Sequence, residues 1–553
     1  MGNCLTLSTD KTIEPALPVE TTFTLPSPLP TWPSAAGRFA AGTIDLGGGL
    51  QVAQVTSFNK LWSILEGGPD DLGASFYEPS QLPPDFHALG AYSQPNNSQF
   101  HPWLLAAKDT TTTGGDQPRA LNPPVDYTLV LSTADLDAKQ QPTTGGYIWL
   151  PVPPEGYKAV GHVITTSPDK PSLDTIRCVR SDLTDQCEPD ASVWAAGPNG
   201  PNVFTVRPSN RGTQAAGVPV GSFVATQVST GAAVVSMTTL ACLKNASYPA
   251  GDVASSPMPS LAQVDAIYRA YAPRIYFHPS EKYFPSSVNW YFSNGVGLYE
   301  KGKETEPVPV EPNGANLPQG GWNDGSYWLD LPRDETEKER VKKGDPESAE
   351  AYLHVKSMFG GTFTDIATWI FYPYNGPGRA NVVIPNIPLG RIGEHVGDWE
   401  HVTLRVSNFD GRLRSVYFSQ HSAGEWVGAP EVEFEDGNRT VAYSSLSGHA
   451  CYPRVGLVMQ GNRVFGIRND AARGGKVMDT AAVGFGVVAA DYLAGTEEAV
   501  AEPAWVNYMR EWGPKIDYGV VKLPLPISLP KEVYGEEGPT GPKSKGSWTG
   551  DER

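Results

Sequence analysis

Apolar and aromatic positions between residues 75 and 250 form short runs bounded by Gly and Pro, the pattern of strands joined by tight turns. One stretch repeats. Pro83-Pro84-Asp85-Phe86-His87-Ala88-Leu89-Gly90 is echoed by Pro153-Pro154-Glu155-Gly156-Tyr157-Lys158-Ala159-Val160-Gly161. An aromatic pair and a proline precede each copy, Phe76-Tyr77-Glu78-Pro79 and Tyr147-Ile148-Trp149-Leu150-Pro151. A weaker third copy starts at Val193-Trp194 and includes Phe204-Thr205-Val206-Arg207-Pro208. Repeated units of this kind bury their apolar faces only against one another, so the pattern predicts a β-repeat module, prism-like or a sandwich.

The pattern changes after residue 243. Lys244 to Pro259 (KNASYPAGDVASSPMP) has the composition of a linker, and Ser260 then caps a predicted helix with Leu261, Val264, Ile267, Tyr268 and Tyr271 on one face and Pro273 beyond its end. Asp334 to Lys343 reads as a charged helix or loop, and Glu502 to Trp512 as a closing helix. The chain therefore divides into a tether at 1–22, a β-repeat domain at 23–243, a linker at 244–259, a second, sandwich-type β domain at 260–535 and a disordered tail at 536–553. The fold class is mainly β with a few helices.

Composition supports this division. At 553 residues the chain exceeds what one core usually serves, and 40% apolar residues suffice for two. The 42 basic residues against 60 acidic ones give a charge of −18, which excludes a general nucleic-acid footprint and also resists anionic lipid. Any membrane contact needs another source of energy. Five cysteines, sparse and odd in number, do not suggest a secreted disulfide framework, and the start of the chain lacks the apolar core of a secretory signal. The most apolar stretch, Ala481 to Ala490, is half the roughly 20 residues needed to span a bilayer, and it reads as core.

The opening Met1-Gly2-Asn3-Cys4-Leu5-Thr6 supplies that energy. It fits N-myristoylation at Gly2, and because one myristoyl chain binds only marginally, palmitoylation at Cys4 is the expected second anchor. Lys11 is the only basic residue before Arg38, so a polybasic patch cannot take its place. The expectation is a peripheral protein on the cytoplasmic face of the plasma membrane or an endomembrane.

The densest chemistry lies at Gly393-Glu394-His395-Val396-Gly397-Asp398-Trp399-Glu400-His401. In a strand Asp398 and Glu400 share a face with Val402, Leu404 and Val406, which puts two carboxylates at the end of an inward row. Such a pair repels unless neutralised. Five of the nine histidines, His354, His395, His401, His421 and His449, fall in one stretch, and strands ending at a common rim would gather several of them. Carboxylates with imidazole suit a divalent cation, Ca, Mg or Mn ahead of Zn; the alternative is a buried network in which these groups satisfy one another. A metal-dependent hydrolase with Glu400 as base and His395, His401 and His421 as ligands is the enzyme reading, without the compact spacing of a metalloprotease. A Ser419, His449 and Asp398 triad lacks a nucleophile elbow.

These features, with Ile176-Arg177-Cys178-Val179-Arg180-Ser181-Asp182-Leu183-Thr184, Tyr276-Phe277-His278-Pro279-Ser280-Glu281 and Pro285-Ser286-Ser287-Val288, resemble the plant Vps62-related (vacuolar protein sorting-associated protein 62) family over most of the chain. That resemblance implies vacuolar or endomembrane trafficking. His395-x-x-Asp398-Trp399-Glu400, between Trp369-Ile370-Phe371-Tyr372-Pro373 and Ser419-x-His421, is also similar to the core of necrosis- and ethylene-inducing peptide-like toxins. That second likeness implies an actinoporin-like β-sandwich. His395, Asp398, Glu400 and His421 would then be metal or head-group positions, the partner a lipid or glycolipid head group, and pore formation a further alternative.

Overall fold

The computed structural model describes residues 17–112, 118–136, 145–197, 200–226, 240–249, 256–382, 384–388, 393–421, 423–461, 465–517, 535–536 and 538–552. Gly2 and Cys4 lie outside them. The chain is mainly β, with many antiparallel sheets and three short α-helices among the described residues. It separates into two units: residues 1–24, 54–207 and 219–243 form the first, and residues 25–53, 208–218 and 244–553 the second.

Three antiparallel sheets, two of three strands and one of five, are made in succession through the first unit. Strands β1 (Phe58–Ile64), β2 (Ala74–Pro79) and β3 (Tyr92–Pro95) form one. Strands β4 (Asp126–Ser132), β5 (Tyr147–Val152) and β6 (Val163–Thr165) form the next. The third, of five strands, has β7 (Thr184–Ala195), β8 (Asn202–Pro208) and β9 (Phe223–Thr226) as successive neighbours. All three sheets feed one core, through Trp62 and Phe76, Ile148 and Ile164, and Trp194 and Phe223. The echoed segments meet at their terminal glycines: a Cβ on Gly90 would lie 2.9 Å from the Gly161 Cα, which only glycine permits. Ser222 of the third copy closes the junction by donating to the Ala91 carbonyl at 2.9 Å. Cys187 and Cys242 form a disulfide in this unit. It is one bond between residues 55 apart, a pairing that spacing does not reveal.

In the second unit helix α1 (Leu261–Tyr271) starts at Ser260, whose hydroxyl accepts from the Gln263 amide while the Gln263 side chain returns to the Ser260 amide. Val264, Ile267, Tyr268 and Tyr271 are buried, as their spacing requires. They pack into a core between two sheets. The smaller sheet places β10 (Arg274–Phe277) between Arg439–Ser444 and Val477–Asp479. The larger has six strands. From the middle outward, β11 (Glu350–Met358) and β13 (His395–Ser407) flank β12 (Phe363–Asn375), with β14 (Leu413–Gln420) and β15 (Ala423–Gly428) beyond β13 and β16 (Gly484–Ala489) beyond β11. Every residue of β12 is buried. Ile366, Ile370 and Tyr372 enter the core shared with the smaller sheet, while Ala367, Trp369 and Phe371 enter a second core built with Tyr291, Trp505 and Trp512. The larger sheet is therefore covered on both faces, and each face carries its own side-chain alternation.

Leu25, Leu29 and Trp32, assigned to the β-repeat domain, pack instead on the first of these cores. Segments read as unstructured are also folded. Asn245 and Met258 of the assigned linker are buried. The tail is the largest correction: Trp548 and Glu552 are 3% and 4% exposed, because one indole and a few carboxylates hold an otherwise small and polar segment. The closing helix reduces to a single turn, Ala504–Asn507. Among the described residues no helix is long and apolar enough to cross a membrane.

Candidate functional site

Strand β13 carries the site, and the alternation anticipated for it holds. Val402, Leu404 and Val406 fill one core and Trp399 the other, so Asp398 and Glu400 lie at the end of the Val402 row. Asp398 Oδ2 is 3.0 Å from His449 Nδ1. The other ring nitrogen, Nε2, is 3.1 Å from the Tyr283 carbonyl, and the ring lies stacked on Tyr372 at 3.9 Å between centroids. Glu281 anchors the loop that presents His449: its carboxylate accepts from the amides of Lys282, Tyr283 and Ser447 at 2.8, 2.9 and 2.7 Å. Glu400 has a different partner. The Ser419 hydroxyl donates to Glu400 Oε2 and accepts from the His401 amide at 2.9 Å.

The two carboxyls are pushed apart electrostatically. Burial raises Glu400 well above the usual carboxylate range, and the neighbouring Asp398 charge adds to the effect. Burial acts on Asp398 too, but the His449 hydrogen bond and the positive charges of His395, His449 and Lys545 outweigh it and hold Asp398 below its ordinary value. The pair thus favours one proton on Glu400 and a charge on Asp398. His421 Nε2 meets Asn469 Oδ1 at 2.9 Å, and His395 Nδ1 meets the Gly397 carbonyl at 2.8 Å. His421 and His449 both take left-handed backbone, at φ of +54° and +56°, which non-glycine residues rarely adopt outside constrained sites.

The four residues singled out from the sequence therefore sit on neighbouring elements, but each is engaged elsewhere: Asp398 with His449, Glu400 with Ser419, His421 with Asn469 and His395 with its own strand. Among the described residues no group of three or more His, Cys, Asp or Glu side chains is placed to hold a metal ion. As placed, these donors do not fit a shared cation. The triad is not assembled either, since Ser419 turns to Glu400 while His449 turns to Asp398 and Tyr283.

What they border is a cleft of about 490 Å³. Trp369, Trp399 and Tyr417 give it aromatic walls, Glu400, Ser419 and His421 polar ones, and Lys545, Asp551 and Glu552 line another side. This volume and mixture suit a small polar molecule with apolar ring faces.

The profile of vacuolar protein sorting-associated protein 62 matches residues 19–552. The chain belongs to this family. Comparison with curated proteins finds no match. Among solved structures, the Vps62-family chain overlaps GNIP1Aa from Chromobacterium piscinae at 20% identity and a TM-score of 0.27, over 36% of this chain and 37% of that one. It thus spans little more than a third of that protein's length. A distant likeness to toxin-fold proteins is also present. NLPPya in complex with glucosamine is 11% identical at a TM-score of 0.21, over 43% of this chain and 82% of that one. Necrosis and ethylene inducing protein 2 from the causal agent of cocoa's witches' broom disease is 14% identical at 0.17, over 32% and 74%. At these TM-scores the overlaps are partial and nothing functional follows from them.

Beside the cleft this Vps62-family chain carries a second polar group that the motif reading missed. Lys356 of β11, Asp365 of β12 and Arg405 of β13 stand opposite one another in register. Asp365 accepts both arms of the Arg405 guanidinium, at 2.8 and 2.7 Å. The tail supplies the remaining counter-charges. Glu552 lies 3.0 Å from Lys356 and 3.3 Å from His401, and Asp551 lies 2.7 Å from Arg405 and 3.0 Å from Arg211. Despite burial, His401 and Lys356 hold the Glu552 carboxyl far below its ordinary value. A signal was available: Lys356, Asp365 and Arg405 each interrupt an apolar strand, and charges inside buried strands require partners.

Proposed function

We propose that this protein is a peripheral membrane protein whose second unit recognises the polar head group of a lipid or glycan in the cleft beside Glu400 and His421. The cleft itself carries this reading: about 490 Å³ lined by Trp369, Trp399 and Tyr417 with Glu400, Ser419 and His421 at hand. Aromatic faces cover the C–H face of a sugar or inositol ring, while carboxyl, hydroxyl and imidazole groups meet its hydroxyls. Vps62-family membership supports a setting in vacuolar or endomembrane trafficking. Acyl chains at Gly2 and Cys4 would hold the protein at the cytoplasmic face of a membrane, and head-group binding would then select among membranes.

Flotation of the full chain, made in cells that acylate proteins, tests both parts. The Gly2→Ala, Cys4→Ser variant should lose most membrane association. The Asp398→Ala, Glu400→Ala variant should keep it but lose preference among vesicles of different head groups. Unchanged behaviour of both variants would defeat the proposal. The hydrolase reading has less support, because its ligands His395, His401 and His421 are engaged with Gly397, Glu552 and Asn469, and no three metal-ligating side chains converge among the described residues.

A further inference from the structure

We propose that the hairpin of Gly456–Gly461 and Phe465–Ala471 is a second membrane contact, whose apolar edge enters the interfacial layer of an anionic bilayer beside the head-group cleft. The proposal rests on the peripheral-membrane reading and adds where the protein meets lipid and what charge that lipid carries.

The edge strand comes first. Gly456–Gly461 is the outermost strand of a four-stranded sheet, next to Phe465–Ala471, which pairs in turn with Arg379–Val382 and, beyond it, Ile384–Pro388. Its sequence, Gly456-Leu457-Val458-Met459-Gln460-Gly461, holds no charge and no proline, the usual guards of an open edge. Successive side chains of a strand point to opposite faces, yet Leu457 and Val458 are 48% and 38% exposed, and Val455 just before them is 55% exposed. Neither face of the edge is therefore covered at these positions. Adjacent exposed apolar residues, unlike scattered ones, mark a contact surface.

Charge says what covers it. From Gly376 to Gly393 and from Pro453 to Asn469 the sequence holds five arginines and no Asp or Glu, in a chain whose net charge is −18. Arg454 directly precedes the exposed strand, and Arg468, opposite Met459 within it, reaches Asp470 at 2.7 Å. Pairing with a second copy would bring two basic hairpins together, whereas an anionic leaflet attracts them.

Position agrees. Asn469 stands opposite Val458, and its Oδ1 meets Nε2 of His421, a residue lining the cleft, at 2.9 Å. From Val458 to Gly461 the strand extends roughly 10 Å, the depth to which interfacial segments sink between head groups and acyl chains. A hairpin inserted by that length leaves His421 at the level of the head groups.

The full chain carries the test. Cys178 and Cys451 are buried, so in a Cys4→Ser background an introduced surface thiol is the one that takes a label. Leu457→Cys, labelled with nitrobenzoxadiazole, should shift its emission to the blue by at least 10 nm on mixing with vesicles of phosphatidylserine and phosphatidylcholine. Val308→Cys, 53% exposed on another sheet of the same unit, is the control and should not shift. In flotation, the Gly2→Ala, Cys4→Ser chain should retain weak binding to these vesicles and none to phosphatidylcholine alone. Adding Leu457→Ser and Val458→Ser should cut that binding at least 5-fold with an unchanged melting curve. A label at Leu457 that does not shift, or one at Val308 that shifts equally, overturns the contact. So does a lipid-free dimer in sedimentation that the two serine substitutions dissolve, since the edge would then serve a second copy. If wild type still floats through Gly2 and Cys4 in that case, the anchor reading stands without the hairpin.

Discussion

Lys356 Nζ and Glu552 Oε1 lie 3.0 Å apart with side chains only 1% and 2% exposed, so a strand in the middle of the sequence and the chain's last described residue share one dry ion pair. Breaking such a pair from one side strands a charge, at a cost of about 3–5 kcal/mol. Lys356→Met alone should approach about 3 kcal/mol in denaturant unfolding. Lys356→Met with Glu552→Met should recover most of the loss, since an apolar pair removes both desolvation costs. Additive losses would show that the two do not interact.

Glu400 predicts a descending pH limb. Its carboxyl is raised in the folded protein, so the native state holds that proton more tightly than the unfolded chain. Stability then falls as pH rises from the ordinary carboxylate value to the raised one. Glu400→Gln keeps an acceptor for Ser419 and removes the charge, and should gain about 1 kcal/mol or more at pH 8, the low end of what an uncompensated buried group costs. Melting curves at pH 5 and pH 8 check this: the wild-type difference should shrink in the variant.

Asp398 predicts the opposite limb. Its folded value is depressed, so its contribution is fully present above the ordinary carboxylate range and is lost as pH falls through it. Asp398→Asn should destabilise the protein at pH 7 and flatten the acid side of its stability profile. A wild-type acid slope in that variant would place the titrating group elsewhere.

Gly161 tests the repeat. A Cβ there would meet the Leu89 carbonyl at 2.8 Å, the Gly90 Cα at 2.9 Å and the Ser222 hydroxyl at 2.7 Å, contacts from two other copies of the motif. Gly161→Ala should cost about 1–3 kcal/mol through overpacking. Gly156→Ala is the comparison, because nothing lies within 4 Å there and only its φ of +82° is penalised. A larger effect at Gly156 than at Gly161 would contradict the junction.

Legibility in the sequence followed distance along the chain. The capped helix after Ser260, the alternation along β13 and the echo ending in Gly90 and Gly161 rest on neighbouring residues or on similarity between segments. Composition misled where a few long-range contacts decide the outcome. Leu25, Leu29 and Trp32 sit among prolines, and Trp548 among glycines and lysines, so neither segment shows the apolar periodicity of a core element. The strand that carries His395, Asp398 and Glu400 follows from local alternation, yet the partners of the site residues, Tyr372, Asn469 and Ser419, depend on how strand ends and loops meet. No spacing rule reports that.

The second unit takes its first residues from 25–53 and its last from the tail, with most of the first unit spelled out between them. On the ribosome, residues 25–53 must wait while about 500 further residues are made, on the order of 25–100 s at ordinary elongation rates. Lys356 and Arg405, once made, wait with Asp365 as their shared carboxylate for about 146 further residues, on the order of 7–30 s, until synthesis reaches Asp551 and Glu552.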